Sequence, residues 1–197
     1  VDLMDALMTT RRSGFTLAPE AGTERMRNII NKPMKDEELL HTAREIFSRG
    51  WHTIKLYFMI GHPGETLEDV KAIADLSMRV LKEGKQVIGG KAKVNIGVST
   101  FVPKPHTPFQ WVECNTAEQI EEKQDLLKET ARMRGLSLSW NDPKETMLEA
   151  ALSRGDRRLA EVVHNAWKLG AKFDAWYEHF DYGKWLQAFE LAGLNPD

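Results

Sequence analysis

The stretch Ile54-Lys55-Leu56-Tyr57-Phe58-Met59-Ile60-Gly61-His62-Pro63-Gly64-Glu65-Thr66 restricts what this chain can fold into more than any other. Apolar residues run through Ile60, broken only by Lys55, and stop at Gly-His-Pro-Gly. Polar Glu65 and Thr66 then lead into Leu67, Val70, Ile73 and Ala74, whose spacing is helical. The pattern predicts a buried strand, a tight turn and a helix start. At the carboxyl ends of such strands α/β proteins bind their ligands.

Similar units flank it. Residues 15–18 form a short strand candidate closed by Pro19-Glu20-Ala21-Gly22, and Thr23 is placed to cap a helix carrying Met26, Ile29 and Ile30. Residues 36–49 repeat the helical pattern with Asp36 as the expected cap. Residues 94–102 form a third strand running into Pro103-Lys104-Pro105-His106-Thr107-Pro108, too proline-rich for a helix or a central strand. A helix over 116–134 and a strand over 136–140 come next, and residues 1–12 carry Leu3, Leu7 and Met8 at helical spacing. Alternating strands and helices indicate an α/β class with parallel strands. Past Pro143 the pattern changes to short helices around Leu148, Val162 and Trp185. The expected division is therefore residues 1–140 and a helical extension over 141–197, whose Trp167, Trp176 and Trp185, with Phe173, Tyr177 and Phe180, are expected to supply core and docking surface.

Composition narrows the function classes. Cys114 is the single cysteine of 197 residues, which excludes an internal disulfide or a Cys-rich zinc site and makes a reducing, cytoplasmic setting the default. A net charge of −2 gives no support for a broad basic surface, so nucleic acid is not an expected partner. No apolar run approaches the ~20 residues of a membrane helix. The start, Val1-Asp2-Leu3-Met4-Asp5, lacks a signal-peptide pattern. Beginning without methionine and within helical sequence, the chain reads as a piece of a longer protein.

Each strand end carries a candidate with two readings. Glu20 can accept hydrogen bonds from two neighbouring ribose hydroxyls, or it can complement the dipole of the helix after it. Gly61 and Gly64 around Pro63 can leave amide groups open to a ligand with Met59 as an apolar wall, or they can serve a tight turn alone. His62 reads as an exposed turn residue, without ligand partners at metal-binding spacing. The prolines after Val102 can present strand-end backbone to an aromatic base, or form a rigid connector. The remaining histidines do not cluster with carboxylates.

Taken in order, Ala18-Pro19-Glu20-Ala21-Gly22-Thr23, Phe58-Met59-Ile60-Gly61-His62-Pro63-Gly64-Glu65-Thr66 and Phe101-Val102-Pro103-Lys104-Pro105-His106-Thr107-Pro108 resemble the ends of strands four to six of the radical S-adenosylmethionine (radical SAM) barrel. The nearest look-alikes are uncharacterised bacterial members with a cobalamin-binding-like region upstream and a helical C-terminal extension. The resemblance implies a partial (βα) barrel, the last three of six units, over about residues 1–135. It implies that Glu20 sits near the ribose of S-adenosylmethionine, Met59 and Ile60 near the adenine, and Val102 and Pro103 around its edge. Gly22, Thr23, Gly61 and Pro63 complete the implied cofactor-binding set.

The chain departs from the family pattern at two points. Several subgroups of the family carry an aspartate at the position of Tyr57 as a second ribose partner. The family's Cys-x3-Cys-x2-Cys motif is missing, and one cysteine cannot hold a [4Fe–4S] cluster. The resemblance therefore implies a parent enzyme that cleaves S-adenosylmethionine reductively to a 5′-deoxyadenosyl radical, with its cluster upstream; it also allows cobalamin. The fragment by itself is expected to be inactive, to need the missing N-terminal half of the barrel, and to self-associate through an exposed sheet edge and an apolar inner face. The alternatives are a stand-alone nucleotide- or protein-binding α/β module, or part of an RNA-modifying enzyme.

Overall fold

A computed structural model describes residues 14–176 and 178–196; the helix expected over residues 1–12 lies outside them. Four strands, β1 (Phe15–Glu20), β2 (Thr53–Ile60), β3 (Lys93–Thr100) and β4 (Leu136–Trp140), form one sheet. Its order is β1-β2-β3-β4, and each neighbouring pair is parallel. The fold is therefore α/β with a sequentially ordered parallel sheet. Helices fill the crossovers: α1 (Glu24–Ile29) and α2 (Asp36–Ser48) after β1, α3 (Leu67–Ile88) after β2, and α4 (Ala117–Thr130) after β3.

Local chemistry explains the helix starts. Thr23 caps α1 by accepting from Met26 N–H at 3.2 Å. At α2 the cap position is Lys35 rather than Asp36; the Glu38 carboxylate accepts from Lys35 N–H at 3.0 Å. Asp36 instead pairs with Arg79 and with Arg27, a fully buried guanidinium that also donates to the carbonyls of Ala21 and Met34. Thr66 and Asp69 form a reciprocal capping box at α3.

The sheet has two unlike faces. Ile54, Leu56, Phe58 and Ile60 of β2 and Val94, Ile96 and Val98 of β3 are buried with Val70, Ile73 and Ala74 of α3. The alternate positions remain exposed or half-buried. In register across that second face stand Thr16, Lys55, Asn95 and Ser137, then Tyr57, Gly97 and Ser139, then Met59 and Ser99. The reading of β2 as buried throughout is thus corrected: one of its faces is open. The expected apolar inner face is corrected as well, because most of these side chains are polar. Ser137 Oγ, for example, donates to Asn95 Oδ1 at 2.7 Å.

The chain divides into two compact units, one of the described residues up to Phe101 with Glu118–Trp140, the other of Val102–Ala117 with the residues from Asn141 onward. The proline-rich segment, placed with residues 1–140 from sequence, thereby groups with the helical residues. The reason is polar contact: Lys104 pairs with Glu149, and an Arg154 Nη1–H donates to Val112 O at 3.4 Å. This unit holds α5 (Pro143–Arg154), α6 (Leu159–Lys168) and α7 (Tyr182–Leu191) around Leu148, Val162, Ala166, Trp185, Ala188 and Phe189. Of the aromatic residues expected to supply core and docking surface, Trp185 lies in the core, with Phe180 packed against it, and donates from Nε1 to Asp174 Oδ2 at 3.3 Å. Trp167, Trp176 and Phe173 are exposed, because three short helices enclose too little volume for all of them. Tyr177 lies outside the described residues. No helix among the described residues is long and apolar enough to cross a membrane.

Candidate functional site

At the carboxyl end of β2 the chain turns through His62-Pro63-Gly64-Glu65, closed by Glu65 N–H donating to His62 O at 3.1 Å. Proline at the second position and glycine with φ +73° at the third match a type II turn. The turn then folds back on itself. Glu65 Oε2 accepts from Gly61 N–H at 2.7 Å and from Lys123 Nζ at 2.7 Å, with the Glu65 side chain only 2% exposed. Burial raises the Glu65 carboxyl above its usual range, and the hydrogen bonds from Lys123 and Gly61 offset only part of that.

Asp69 ties this turn to the end of β1. Its carboxylate accepts from Thr23 Oγ1 at 2.6 Å, Thr66 N–H at 2.9 Å and Thr66 Oγ1 at 2.7 Å, and it pairs with Arg25. Burial would raise this carboxyl, but the hydrogen bonds from Thr23, Thr66 and Arg25 outweigh it and lower the pKa to about 2. Arg25 Nη2 also donates to Gly64 O at 3.1 Å. Asp69 is not among the residues expected at the site, although Thr-x-x-Asp before an apolar helical run is a signal by which it can be found.

Beside the turn, Glu20 ends β1 with φ +70°, a left-handed backbone unusual for a residue with a side chain. It follows a register irregularity between Leu17 and Glu20. Its Oε1 accepts from Lys32 Nζ at 2.8 Å, and both side chains are partly exposed, so the carboxylate stays within reach of solvent.

His62 departs most from expectation. It is 7% exposed rather than an open turn residue, because the turn folds it inward against Phe101, ring centroids 5.3 Å apart. Neither Nδ1 nor Nε2 has a hydrogen-bond partner among the described residues. Burial lowers its pKa; the Glu20 carboxylate acts in the opposite sense and Lys123 in the same sense.

The structure groups some expected site residues and separates others. Glu20, Met59, Gly61 and Pro63 lie at the carboxyl ends of β1 and β2, Met59 on the open face. The Ile60 side chain is fully buried in the core and its carbonyl accepts from Phe101 N–H at 2.8 Å, so it offers no wall to a ligand. The Gly61 amide is taken by Glu65, so it is not open. A Cβ on Gly22 would stand 2.5 Å from Ile73 N and 2.6 Å from Asp69 O, so that glycine serves the close approach of α3. Thr23 is held by its cap and by Asp69. Val102 and Pro103 are buried in the second unit. Among the described residues no group of three or more His, Cys, Asp or Glu could hold a metal ion.

Comparison with known proteins leaves the family open. No family model matches the chain, and no solved structure matches it. An uncharacterised protein of Methanocaldococcus jannaschii is 27% identical over 190 residues. That similarity covers 96% of this chain and 41% of the relative, so the chain spans about two fifths of the relative's length.

Proposed function

We propose that this chain is the carboxyl-terminal part of a radical SAM barrel and supplies the wall that faces the adenosine of S-adenosylmethionine. The observation that carries this reading is the sheet: four parallel strands in sequential order, with helices packed on one face and a polar surface on the other. A parallel sheet is ordinarily covered on both sides. One left polar and open suits the lining of a ligand chamber. Glu20, acceptor-only and reachable at the strand end, is the group suited to ribose hydroxyls, and Met59 supplies an apolar contact for a base.

The cluster that the family uses to cleave S-adenosylmethionine does not fit these residues. Cys114 supplies one thiol where a [4Fe–4S] cluster needs three or more, so no reaction step is assigned to this chain. In this reading the missing strands pair with the outer edge of β1, which among the described residues pairs only with β2. Without them that edge favours self-association.

The test is nucleoside binding. Adenosine titrated into the isotope-labelled chain is expected to move the amide signals of Glu20, Met59 and the 61–65 turn. Shifts elsewhere only, or no saturable shifts, would overturn the reading. Anaerobic incubation with iron and sulfide is expected to yield no thiolate-to-iron absorbance band from this chain alone.

A further inference from the structure

The open face of the sheet carries charge of one sign. On β2 it presents Thr53, Lys55, Tyr57 and Met59, and the register pairs the first two with Lys93 and Asn95 of β3. Along β2, β3 and β4 this face holds these two lysines and no carboxylate. Both lysines are exposed, and among the described residues neither has an ion pair. Lysine is common on the outermost strands of a sheet, where it discourages edge-to-edge pairing. That role does not apply here, because β2 and β3 are the inner strands, each paired on both sides.

The two charges are neighbours. With strands about 4.8 Å apart and a rise of about 3.3 Å per residue, the Cα atoms of Lys55 and Lys93 lie about 8 Å apart on the diagonal. Their flexible four-carbon stems let both ammonium groups close on one group between them. Thr16 and Asn95 flank Lys55 in register. Asn95 Oδ1 accepts from Ser137 Oγ, so its amide nitrogen remains to donate. In the proposed barrel this face is enclosed, where an ammonium group without a counter-charge is costly. A carboxylate brings two oxygens and one charge. A phosphate brings three acceptor oxygens and nearly two charges, and so matches two cations flanked by neutral donors. The patch is also separate from the adenosine wall: Lys55 precedes Met59 by four residues, about 13 Å along the strand. A base against Met59 leaves it free for a second molecule.

We infer that the amino half of the open face binds a phosphate group between Lys55 and Lys93, with Thr16 and Asn95 as flanking donors, and that the molecule carrying it is the substrate. The inference rests on the proposed function and deepens it by giving the substrate a phosphate.

The test is titration of the isotope-labelled chain with inorganic phosphate at constant ionic strength, with acetate and chloride as comparison anions. Phosphate is expected to give saturable shifts at the Asn95 side-chain amide and at the Lys55 and Lys93 side chains, tighter than acetate and absent with chloride. Lys55→Met and Lys93→Met should each weaken phosphate about tenfold, the order of one hydrogen bond to a charged group. Lys71→Met, which removes an exposed lysine of α3, should not. Because both lysines are exposed, their variants are expected to keep the wild-type thermal midpoint, which separates lost binding from lost folding.

Shifts no larger than those from chloride, acetate bound as tightly as phosphate, or phosphate binding unmoved by both variants would each overturn the inference. Adenosine bound without any phosphate response overturns this inference alone. Phosphate bound without adenosine removes the proposed function, and with it the assignment of the phosphate to a substrate.

Discussion

The ring of Tyr57 lies against the bare backbone of Gly97 on the neighbouring strand, where a Cβ would stand 2.9 Å from Tyr57 Cε1. The two are register partners on the uncovered face, and Tyr57 keeps 48% of its surface exposed. The ring is therefore laid across the sheet instead of being packed in the core, and its free side leaves it room to move.

That contrast with Gly22 gives a paired prediction. Gly97→Ala pushes only on the far end of a half-exposed side chain, so its cost is expected to stay within about 1 kcal/mol. Gly22→Ala pushes a methyl into the backbone of α3, which cannot yield without separating β1 from the helix. Its expected cost is about 3 kcal/mol. Urea denaturation of both variants decides the matter, and equal losses would contradict the assigned roles.

Asp69 gives the acid response. Its folded pKa of about 2 lies below the ordinary 3.8. The stabilisation is thus fully present above pH 3.8 and is lost as pH falls through about 2. At ~1.36 kcal/mol per unit the difference amounts to about 2 kcal/mol. Asp69→Asn should cost about that much at neutral pH, with the gap to wild type closing toward pH 2. Urea midpoints across this range are the measurement; a gap independent of pH would sink the assignment.

The four strands can be read from sequence because apolar runs and glycine or proline punctuation coincide at each. Which face of β2 is open cannot. Tyr57 and Met59 are themselves apolar, so the run from Ile54 to Ile60 conceals an alternation that burial reveals. His62 escapes the sequence for a related reason: turn residues are ordinarily exposed, and its burial depends on Phe101, 39 positions later. Trp167 and Trp176 show the converse, large apolar residues that look like core until the volume enclosed by three short helices is known. Thr23 and Thr66, whose capping is local, are legible directly.

The Glu65–Lys123 pair is expected to behave as a buried ion pair, with side chains 2% and 11% exposed. Lys123→Met removes one partner and leaves a desolvated carboxylate, at an expected cost of about 3–5 kcal/mol. Adding Glu65→Leu removes the orphaned charge and should restore a large share of that loss, although the Gly61 amide then loses its acceptor. A double-mutant cycle by chemical denaturation reads the coupling directly. Additive losses in the double variant would show that the two residues do not depend on each other.

Glu20 separates a binding role from a structural one through its backbone. Held at φ +70°, it occupies a conformation that costs a residue with a Cβ about 1–2 kcal/mol and glycine almost nothing. Its ion pair with Lys32 is partly exposed on both sides and contributes at most about 1 kcal/mol. Both Glu20→Ala and Glu20→Gly lose that pair, so their difference isolates the backbone. In an ordinary strand alanine would be the more stable of the two; here Glu20→Gly is expected to exceed Glu20→Ala by about 1 kcal/mol. Both should lose adenosine binding, since neither retains a carboxylate for the ribose. Thermal denaturation with a nucleoside titration tests the two halves separately. Alanine proving the more stable would contradict the left-handed backbone, and adenosine binding retained by both variants would remove Glu20 from the proposed site.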